Sequence, residues 1–307
     1  LATGFVRMNP TTSEGGAIPA EFQAKNNFDR VETLGTVLLG MSFTCARCHT
    51  HKYDPITQKE YYQLFAFFNN TAESSMDGNS YEYGPIIRAP KDQAAWIVWD
   101  TLQQEIEKLC SQVDISTLGE DVQQQWQDAK LAQRISMLAS ADETIGTEES
   151  RERAQELSAA LKEVEANFTT SLVAKDLAQP RETRLLKRGE YNLPAGDALQ
   201  PGVPAVMGGL PEDAPRNRLG LAHWLTSREH PLVARVVANQ LWQHIFSDGL
   251  VRTPEDFGLQ GEQPTHPVLL DWLAVELQDS GWNRKHMLRE MVLSRTFRQD
   301  SSWRKDI

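Results

Sequence analysis

The sequence predicts a mostly α-helical chain with three parts: a helical module that contains a C-x-x-C-H box, a helical coiled-coil arm, and a mainly α C-terminal domain with a short irregular or β entry segment. Apolar residues recur at helical spacing through most of the 307 residues. Proline and glycine are scarce in the middle of the chain and cluster between residues 188 and 204. The predicted domains are residues 1–90, 91–180 and 181–307.

The N-terminal module is predicted to contain two helices. The first runs from about Asn27 to Phe43 and the second from Gln58 to Phe68, because apolar side chains recur at i, i+3, i+4 and i+7 in both. The second helix presents an aromatic stripe that includes Tyr61 and Phe65. We interpret this stripe as core, and the wall of a bound cofactor is the alternative.

The stretch Cys45-Ala46-Arg47-Cys48-His49 follows the first predicted helix and carries the strongest chemical signal. C-x-x-C-H is the spacing at which two thiols attach haem covalently while the histidine ligates the iron. The whole chain has 3 cysteines, so a cysteine-rich composition does not explain the pattern. We therefore expect haem c, attached through Cys45 and Cys48, with His49 as the proximal ligand.

Two other chemistries suit the same residues. Cys45 and Cys48 can hold zinc or another non-haem metal together with His49 or His51, and Asp54 lies close enough in sequence to add a ligand. The two cysteines can instead form a redox dithiol or a disulfide. The zinc interpretation lacks a second C-x-x-C pair. The haem interpretation lacks an evident distal ligand, since His51 is too near His49 to reach the opposite face of the iron.

Residues 91–180 are rich in Gln, Glu, Ala and Lys and predict a helical hairpin with a coiled-coil seam. Apolar residues from Ala154 to Phe168 repeat in alternating steps of three and four, and a matching seam runs from Trp99 to Leu109. A further helix is predicted from about Asp121 to Leu138. Cys110 adjoins the first seam, and we interpret it as a buried structural thiol.

The C-terminal domain is predicted to contain four helices after its irregular entry segment. Asn217 and Asn283 are the predicted N-caps of the first and last helix, and Pro231 and Pro267 are predicted at the first turns of the second and third. Gly281 is expected to end the third helix, because glycine is favoured just after a helix C-terminus.

The second of these helices carries Arg235 and Asn239 although it is apolar on most sides. A buried arginine needs a carboxylate partner, and the nearest candidates are Glu255, Asp256 and Asp271. A buried ion pair that fixes helix packing is one interpretation, and a cleft that binds an anion or a sugar is the other. The residues of this candidate cleft are Arg235, Asn239, His244, Asp256 and His266.

The charge of the chain limits its partners. With 42 acidic and 31 basic residues, the formal net charge is -11, which disfavours binding to nucleic acid. No run of 18 apolar residues occurs, so no membrane span is predicted. The first residues lack the pattern of a signal peptide and the chain begins with leucine, so we expect a piece of a longer or processed protein.

Two parts of the sequence resemble the planctomycete-type cytochrome-c-like proteins of unknown function. In the first, residues 1–72, the stretch C-A-R-C-H-T-H-K-Y-D-P at residues 45–55 is followed by Tyr61-Tyr62. The second, about residues 183–303, resembles the C-terminal partner domain of the same proteins. Its characteristic segments include Asn217-Arg218-Leu219, Leu241-Trp242-Gln243-His244, Thr253-Pro254-Glu255-Asp256-Phe257-Gly258 and Ser280-Gly281-Trp282.

The resemblance implies an exported bacterial protein, periplasmic or otherwise secreted, typically encoded with enzymes that degrade polysaccharides or sulfate esters. The activity of the family is itself unsettled, so the first functional hypothesis rests on the box: a c-type haem-binding electron-transfer or redox module whose redox partner is unknown. Members carry a helical region before Leu1-Ala2-Thr3-Gly4-Phe5, so we expect that region and a signal peptide to lie outside this sequence. Two further functions stay open. The protein can be a non-haem, metal-braced protein that binds or hydrolyses carbohydrate, or it can be a scaffold for other proteins. Whether it is an enzyme also stays open.

Overall fold

The computed structural model describes residues 2–79, 83–116, 118–140 and 145–299. Helices dominate this structure, which confirms the mostly α fold class. The α-helices are α1 (Pro19–Leu34), α2 (Gln58–Phe68), α3 (Gln93–Ser111), α4 (Glu120–Asp128), α5 (Leu131–Leu138), α6 (Glu148–Ala166), α7 (Arg218–Leu225), α8 (Val233–Phe246), α9 (Pro267–Asp279) and α10 (Arg284–Leu293). The strands form two antiparallel pairs, β1 (Ile86–Ala89) with β2 (Thr169–Leu172) and β3 (Thr183–Leu186) with β4 (Pro194–Leu199).

The chain forms two compact units. The first comprises the described parts of residues 1–5 and 84–173, and the second the described parts of residues 6–83 and 174–307. The box module and the C-terminal domain are predicted as separate domains, but they contribute to the same unit.

The first unit is a small helical bundle with its own core. The predicted seams of α3 and α6 supply this core together with Trp126 of α4 and Leu138 of α5, and Cys110 is buried in it as predicted. The single helix predicted over 121–138 is two helices. The backbone is extended at Ala129 and Lys130, where Gln133 Oε1 accepts a hydrogen bond from Lys130 N at 2.8 Å and caps α5.

The second unit is built around α1 and α2 together with the C-terminal helices. Helix α2 spans the predicted residues and begins with a capping box, in which Thr57 and Glu60 bond reciprocally. Helix α1 starts and ends earlier than predicted. A π-helix, Gly35–Leu39, follows α1. The chain then turns back before the box, so that the Phe43 ring packs against Gly35: a Cβ on this glycine would stand 2.5 Å from Cδ2 of Phe43.

The C-terminal helices begin where the sequence predicts, with one exception. Asn217 and Asn283 accept hydrogen bonds from the first turns of α7 and α10, and Pro267 is the first residue of α9. Helix α8 begins at Val233 and not at Pro231. His230 Nδ1 accepts hydrogen bonds from the backbone N–H groups of Leu232 and Val233, at 3.2 and 3.3 Å, and so satisfies donors at the start of the helix.

Candidate functional site

The C-x-x-C-H box forms one tight turn on the surface of the second unit. A 3-10 helix spans Thr44–Arg47, and Cys45 O accepts hydrogen bonds from Cys48 N at 3.3 Å and from His49 N at 3.4 Å. Both thiols are exposed, and they are not bonded to each other. Ala46, between them, is fully buried. The turn therefore points its two sulfurs outward while its middle is anchored in the core.

Arg47 fixes the position of the box. Its carbonyl oxygen accepts hydrogen bonds from Tyr62 Oη at 3.0 Å and Gln58 Nε2 at 3.1 Å. Its guanidinium lies 3.4 Å from Glu32 Oε1 and 5.0 Å from the centre of the Phe28 ring. Burial by itself would lower the pKa of Arg47, but the neighbouring Glu32 carboxylate raises it. Helices α1 and α2 thus hold the box from both sides.

The turn Lys187–Gly189 lies against the second thiol. Cys48 Sγ donates a hydrogen bond to Arg188 O at 3.2 Å. Gly189 has a φ of 73°, and a Cβ there would stand 3.3 Å from Cys48 Sγ. Glycine is favoured at this φ, and here it also allows close approach to the sulfur. Covalent modification of Cys48 would remove the hydrogen that bonds to Arg188.

The two histidines of the box loop differ in their availability. His49 is exposed, and its Nδ1 lies 2.7 Å from Thr50 O. Because a carbonyl oxygen only accepts, Nδ1 carries the proton and Nε2 retains its lone pair. His51 is buried, and its Nδ1 accepts a hydrogen bond from Asp54 N at 2.8 Å. His51 therefore braces the loop, and its Nδ1 is not available to a metal.

The aromatic stripe of α2 belongs to the core, as interpreted from the sequence. Tyr61 and Tyr62 are fully buried, and burial raises the pKa of both phenols. Tyr61 Oη donates to Glu32 Oε1 at 3.0 Å. Because its tyrosines are buried, the stripe packs against the box from the core side and does not line an open cofactor site.

In the part of the chain that the structure describes, no three side chains among His, Cys, Asp and Glu converge as a metal site. In the same part of the chain, no helix combines the length and the apolar character that crossing a membrane requires.

Arg235 and Asn239, the two polar residues considered on α8, make structural contacts. Asn239 is fully buried, and its amide bonds Val251 twice: Nδ2 donates to Val251 O and Oδ1 accepts from Val251 N, each at 2.9 Å. Arg235 pairs with Asp271, one of the three predicted partners, at 2.6 Å. The expectation of a buried pair is wrong, however, because the two side chains are 40% and 55% exposed. Arg235 lies at the outer edge of the helix packing.

The structure does not bring the predicted cleft residues together. A pocket of about 150 Å³ is lined by Arg235 and Asp271 but by none of the other four candidates. His244 and His266 are exposed, and Asp256 Oδ1 accepts a hydrogen bond from Gly258 N at 2.8 Å. With Asn239 occupied by Val251, these residues do not form one binding site.

A larger pocket, of about 340 Å³, lies near the C-terminal end of α2. Its polar lining includes Asn70, Arg181 and Arg216. These residues come from three distant segments of the sequence, and none belongs to a motif or a periodic pattern. No sequence signal points to this pocket.

The box module and the C-terminal helices are joined by direct hydrogen bonds. Phe257 N donates to Gly40 O at 2.6 Å, and Gln240 Nε2 donates to Val37 O at 2.9 Å. Gly40 has no room for a side chain, since a Cβ there would stand 2.7 Å from the Phe257 ring and 2.9 Å from Val236. The two regions are packed as parts of one core.

Comparison with known families agrees with this pairing. Residues 1–73 match the family model described as PSCyt2: Protein of unknown function (DUF1549), and residues 217–307 match the one described as PSD1: Protein of unknown function (DUF1553). Searches of curated proteins and of solved structures returned no match. The two ends of the chain are thus similar to two families, DUF1549 and DUF1553, that are known as a planctomycete-type pair and are both of unknown function.

Proposed function

We propose that the box attaches haem c through Cys45 and Cys48, with His49 as the proximal ligand, and that the protein is an electron-transfer or redox module. The observation that carries this proposal is the hydrogen bond from His49 Nδ1 to Thr50 O. A histidine that ligates a metal usually donates its other ring N–H to a carbonyl or carboxylate, which fixes its tautomer. A bound haem would supply one-electron chemistry.

The donor set fits the group. Two exposed thiols on one turn are accessible for thioether formation, and the adjacent imidazole leaves Nε2 unused. Tyr62 and Gln58 hold the backbone of the turn through Arg47 O, so the spacing of the donors is set before any cofactor binds. Cys48 must give up its hydrogen bond to Arg188, and the absence of a Cβ at Gly189 leaves space beside the sulfur.

The geometry favours haem over zinc. A structural zinc site is closed by four ligands, and here these would have to include His51 or Asp54 besides Cys45, Cys48 and His49. His51 Nδ1 accepts from Asp54 N, and Asp54 Oδ1 accepts from Leu259 N at 2.8 Å. With Nδ1 accepting this bond, a neutral His51 carries its proton on Nε2 and offers no lone pair to zinc, and the side chain of Asp54 is only 4% exposed.

The proposal also places the protein outside the cytoplasm, since haem attachment to a C-x-x-C-H box takes place after export. We propose a periplasmic or otherwise secreted location, with an upstream segment as the export signal. Separation of the cell fractions of the native organism, followed by immunoblotting, tests this point. Detection in the cytoplasmic fraction would contradict it.

The direct test is expression of this chain behind an export signal together with a c-type haem maturation system. A denaturing gel stained for haem and an absorption spectrum are the measurements. The wild-type polypeptide should stain, and Cys45→Ala with Cys48→Ala should abolish the stain. His49→Ala should retain some covalent haem with an altered spectrum, because attachment and ligation are separate functions.

Cys110→Ala is the matched control, because this thiol is buried in the core of the first unit. It should stain like the wild type. A colourless wild-type protein that carries one equivalent of zinc would refute the proposal in favour of the non-haem metal. A colourless, metal-free protein whose Cys45 and Cys48 are linked or reactive would favour the dithiol.

A further inference from the structure

A turn between β3 and β4 lies against the C-x-x-C-H box and contacts Cys48 directly. It comprises Lys187–Gly189, and we call it the Arg188 turn after its middle residue. Arg188 O accepts a hydrogen bond from Cys48 Sγ at 3.2 Å, and no other donor among the described residues bonds this oxygen. The middle of the turn is therefore bonded to the box through the thiol hydrogen of Cys48.

The backbone of the turn is strained at its middle residue. Arg188 has a φ of 55° and a ψ of 22°, in the left-handed region that residues with a Cβ rarely adopt. This conformation costs free energy and persists where surrounding contacts hold it. The next residue, Gly189, has a φ of 73°, which glycine adopts without strain. The strain is thus confined to the residue whose carbonyl oxygen bonds the thiol.

The turn and the thiol are packed closely together. A Cβ on Gly189 would stand 3.3 Å from Cys48 Sγ and 3.1 Å from Arg47 Cγ, which is tighter than ordinary van der Waals contact. A covalent group on Sγ replaces the hydrogen that bonds Arg188 O. The oxygen then faces a carbon atom or a sulfur lone pair, and neither donates a hydrogen bond. Modification of Cys48 therefore removes the contact that keeps the turn in place.

The ends of the turn have anchors that do not involve the thiol. Lys187 N donates to Leu193 O at 3.0 Å, and Tyr62 Oη lies 3.4 Å from the carbonyl oxygen of Leu186. Leu186 is also the last residue of β3, which is paired with β4. Loss of the bond at Arg188 should therefore free the middle of the turn and leave the hairpin in place.

We propose that the Arg188 turn is a conformational switch that responds to covalent modification of Cys48. While Cys48 is a free thiol, its hydrogen bond keeps the turn against the box, with Arg188 in the left-handed conformation. A covalent group on the sulfur removes that bond, and the turn moves away as Arg188 relaxes. The exposed Lys187 and Arg188 side chains then present a different charged surface beside the box. The haem attachment proposed above is one such modification, but the switch itself does not require haem.

Tryptic cleavage of the full, haem-free chain tests this proposal, because trypsin cuts after Lys187 and Arg188 once the turn opens. Iodoacetamide is the modifying reagent: it forms an S–C bond to a thiol, and iodide and the thiol proton leave. In Cys45→Ser, Cys48 is the exposed thiol of the box, and Cys110 is buried. Alkylation of this variant should speed cleavage in the turn at least about fivefold, since local opening governs proteolysis.

A matched variant carries the same reagent on the other cysteine. In Cys48→Ser, iodoacetamide modifies Cys45, while the serine hydroxyl still offers a donor to Arg188 O. Cleavage in the turn should then stay within about twofold of the unmodified variant. Cys48→Ala removes the donor without adding bulk, so its turn should be cleaved at least about threefold faster than that of Cys48→Ser.

Cleavage after Arg252 is the internal reference, because this exposed residue lies outside the turn and the box. Its rate should be equal in all variants, before and after alkylation. Mass spectrometry identifies both the alkylated cysteine and the cleaved bond. Every measurement uses the haem-free chain, so a colourless protein in the haem test leaves these outcomes unaffected.

Three results would overturn the proposal. Equal cleavage before and after alkylation of Cys48 would show that its bond to Arg188 does not hold the turn. Equal acceleration after alkylation of Cys45 would show that the turn does not distinguish the two thiols. Faster cleavage after Arg252 as well would show that modification loosens the second unit as a whole.

Discussion

Asp54 and Gly258 lie so close together that a Cβ on the glycine would stand 2.5 Å from Asp54 Oδ1. The same oxygen accepts a hydrogen bond from Leu259 N at 2.8 Å. Asp54 closes the loop that follows the C-x-x-C-H box and is only 5% exposed. Gly258 lies within residues 217–307, the part of the chain that matches DUF1553. This contact therefore joins the loop of the box directly to that part of the chain.

Gly258→Ala should destabilise the second unit by about 1–3 kcal/mol, because a methyl group here forces apart two tightly packed segments. The buried Asp54 has little room to move without losing its bond to Leu259. Urea unfolding at constant pH measures the loss. Gly209→Ala is the control, since nothing lies within 4 Å of a Cβ at that position. Equal midpoints for the two variants would contradict the close contact.

Helices whose ends are set by local chemistry could be predicted from the sequence. The residues of α2 follow from its apolar spacing, and the structure adds the Thr57 and Glu60 capping box at its start. The predicted end of α1 is wrong: the apolar spacing continues through the π-helix Gly35–Leu39, which ends at Gly40 with a φ of 57°. The Phe43 ring packs against Gly35, and such a tertiary contact leaves no periodic signal.

The same distinction holds for the candidate sites. The C-x-x-C-H box is contiguous, so its five residues and their chemistry can be read from the spacing. The pocket of about 340 Å³ near the C-terminal end of α2 draws Asn70, Arg181 and Arg216 from distant segments, which only the fold specifies. Arg235 shows the opposite error: its helix face suggested burial, but it lies at the exposed edge with Asp271.

Asn239→Ala should be far more damaging than Arg235→Ala. Removal of the amide leaves both the N–H and the C=O of Val251 buried without partners, which costs about 1–3 kcal/mol for each group. Arg235→Ala breaks a half-exposed ion pair and should cost less than about 1 kcal/mol. Thermal melts followed by circular dichroism compare the two. If Arg235→Ala lowers the melting temperature more, the pair is not solvent-screened as described.

His230 should make the second unit sensitive to acid. Burial lowers its pKa from 6.5 to about 4, and its Nδ1 faces the N–H groups of Leu232 and Val233. The fold therefore favours the neutral ring. Its contribution is complete above pH 6.5 and is lost as the pH falls from 6.5 through about 4, with a slope approaching 1.4 kcal/mol per pH unit in that window.

His230→Asn provides the comparison, because asparagine can also cap a helix and does not titrate. Urea unfolding of both proteins at a series of pH values between 7 and 4 gives the difference in the free energy of unfolding. This difference should change across the window in favour of the variant at low pH. Parallel curves for the two proteins would show that His230 does not titrate between these limits.

Leu161→Asp should unfold the helical bundle of the first unit and leave haem attachment at the box unchanged. Leu161 is buried in the core that α3 and α6 share, and a carboxylate there has no partner, so we expect a loss of about 3 kcal/mol or more. Ala159→Asp, at an exposed position of the same helix, adds the same charge and should have little effect. Hydrogen–deuterium exchange should rise in residues 84–173 alone. An equal rise in residues 174–299 would show that the bundle is not an independent folding unit.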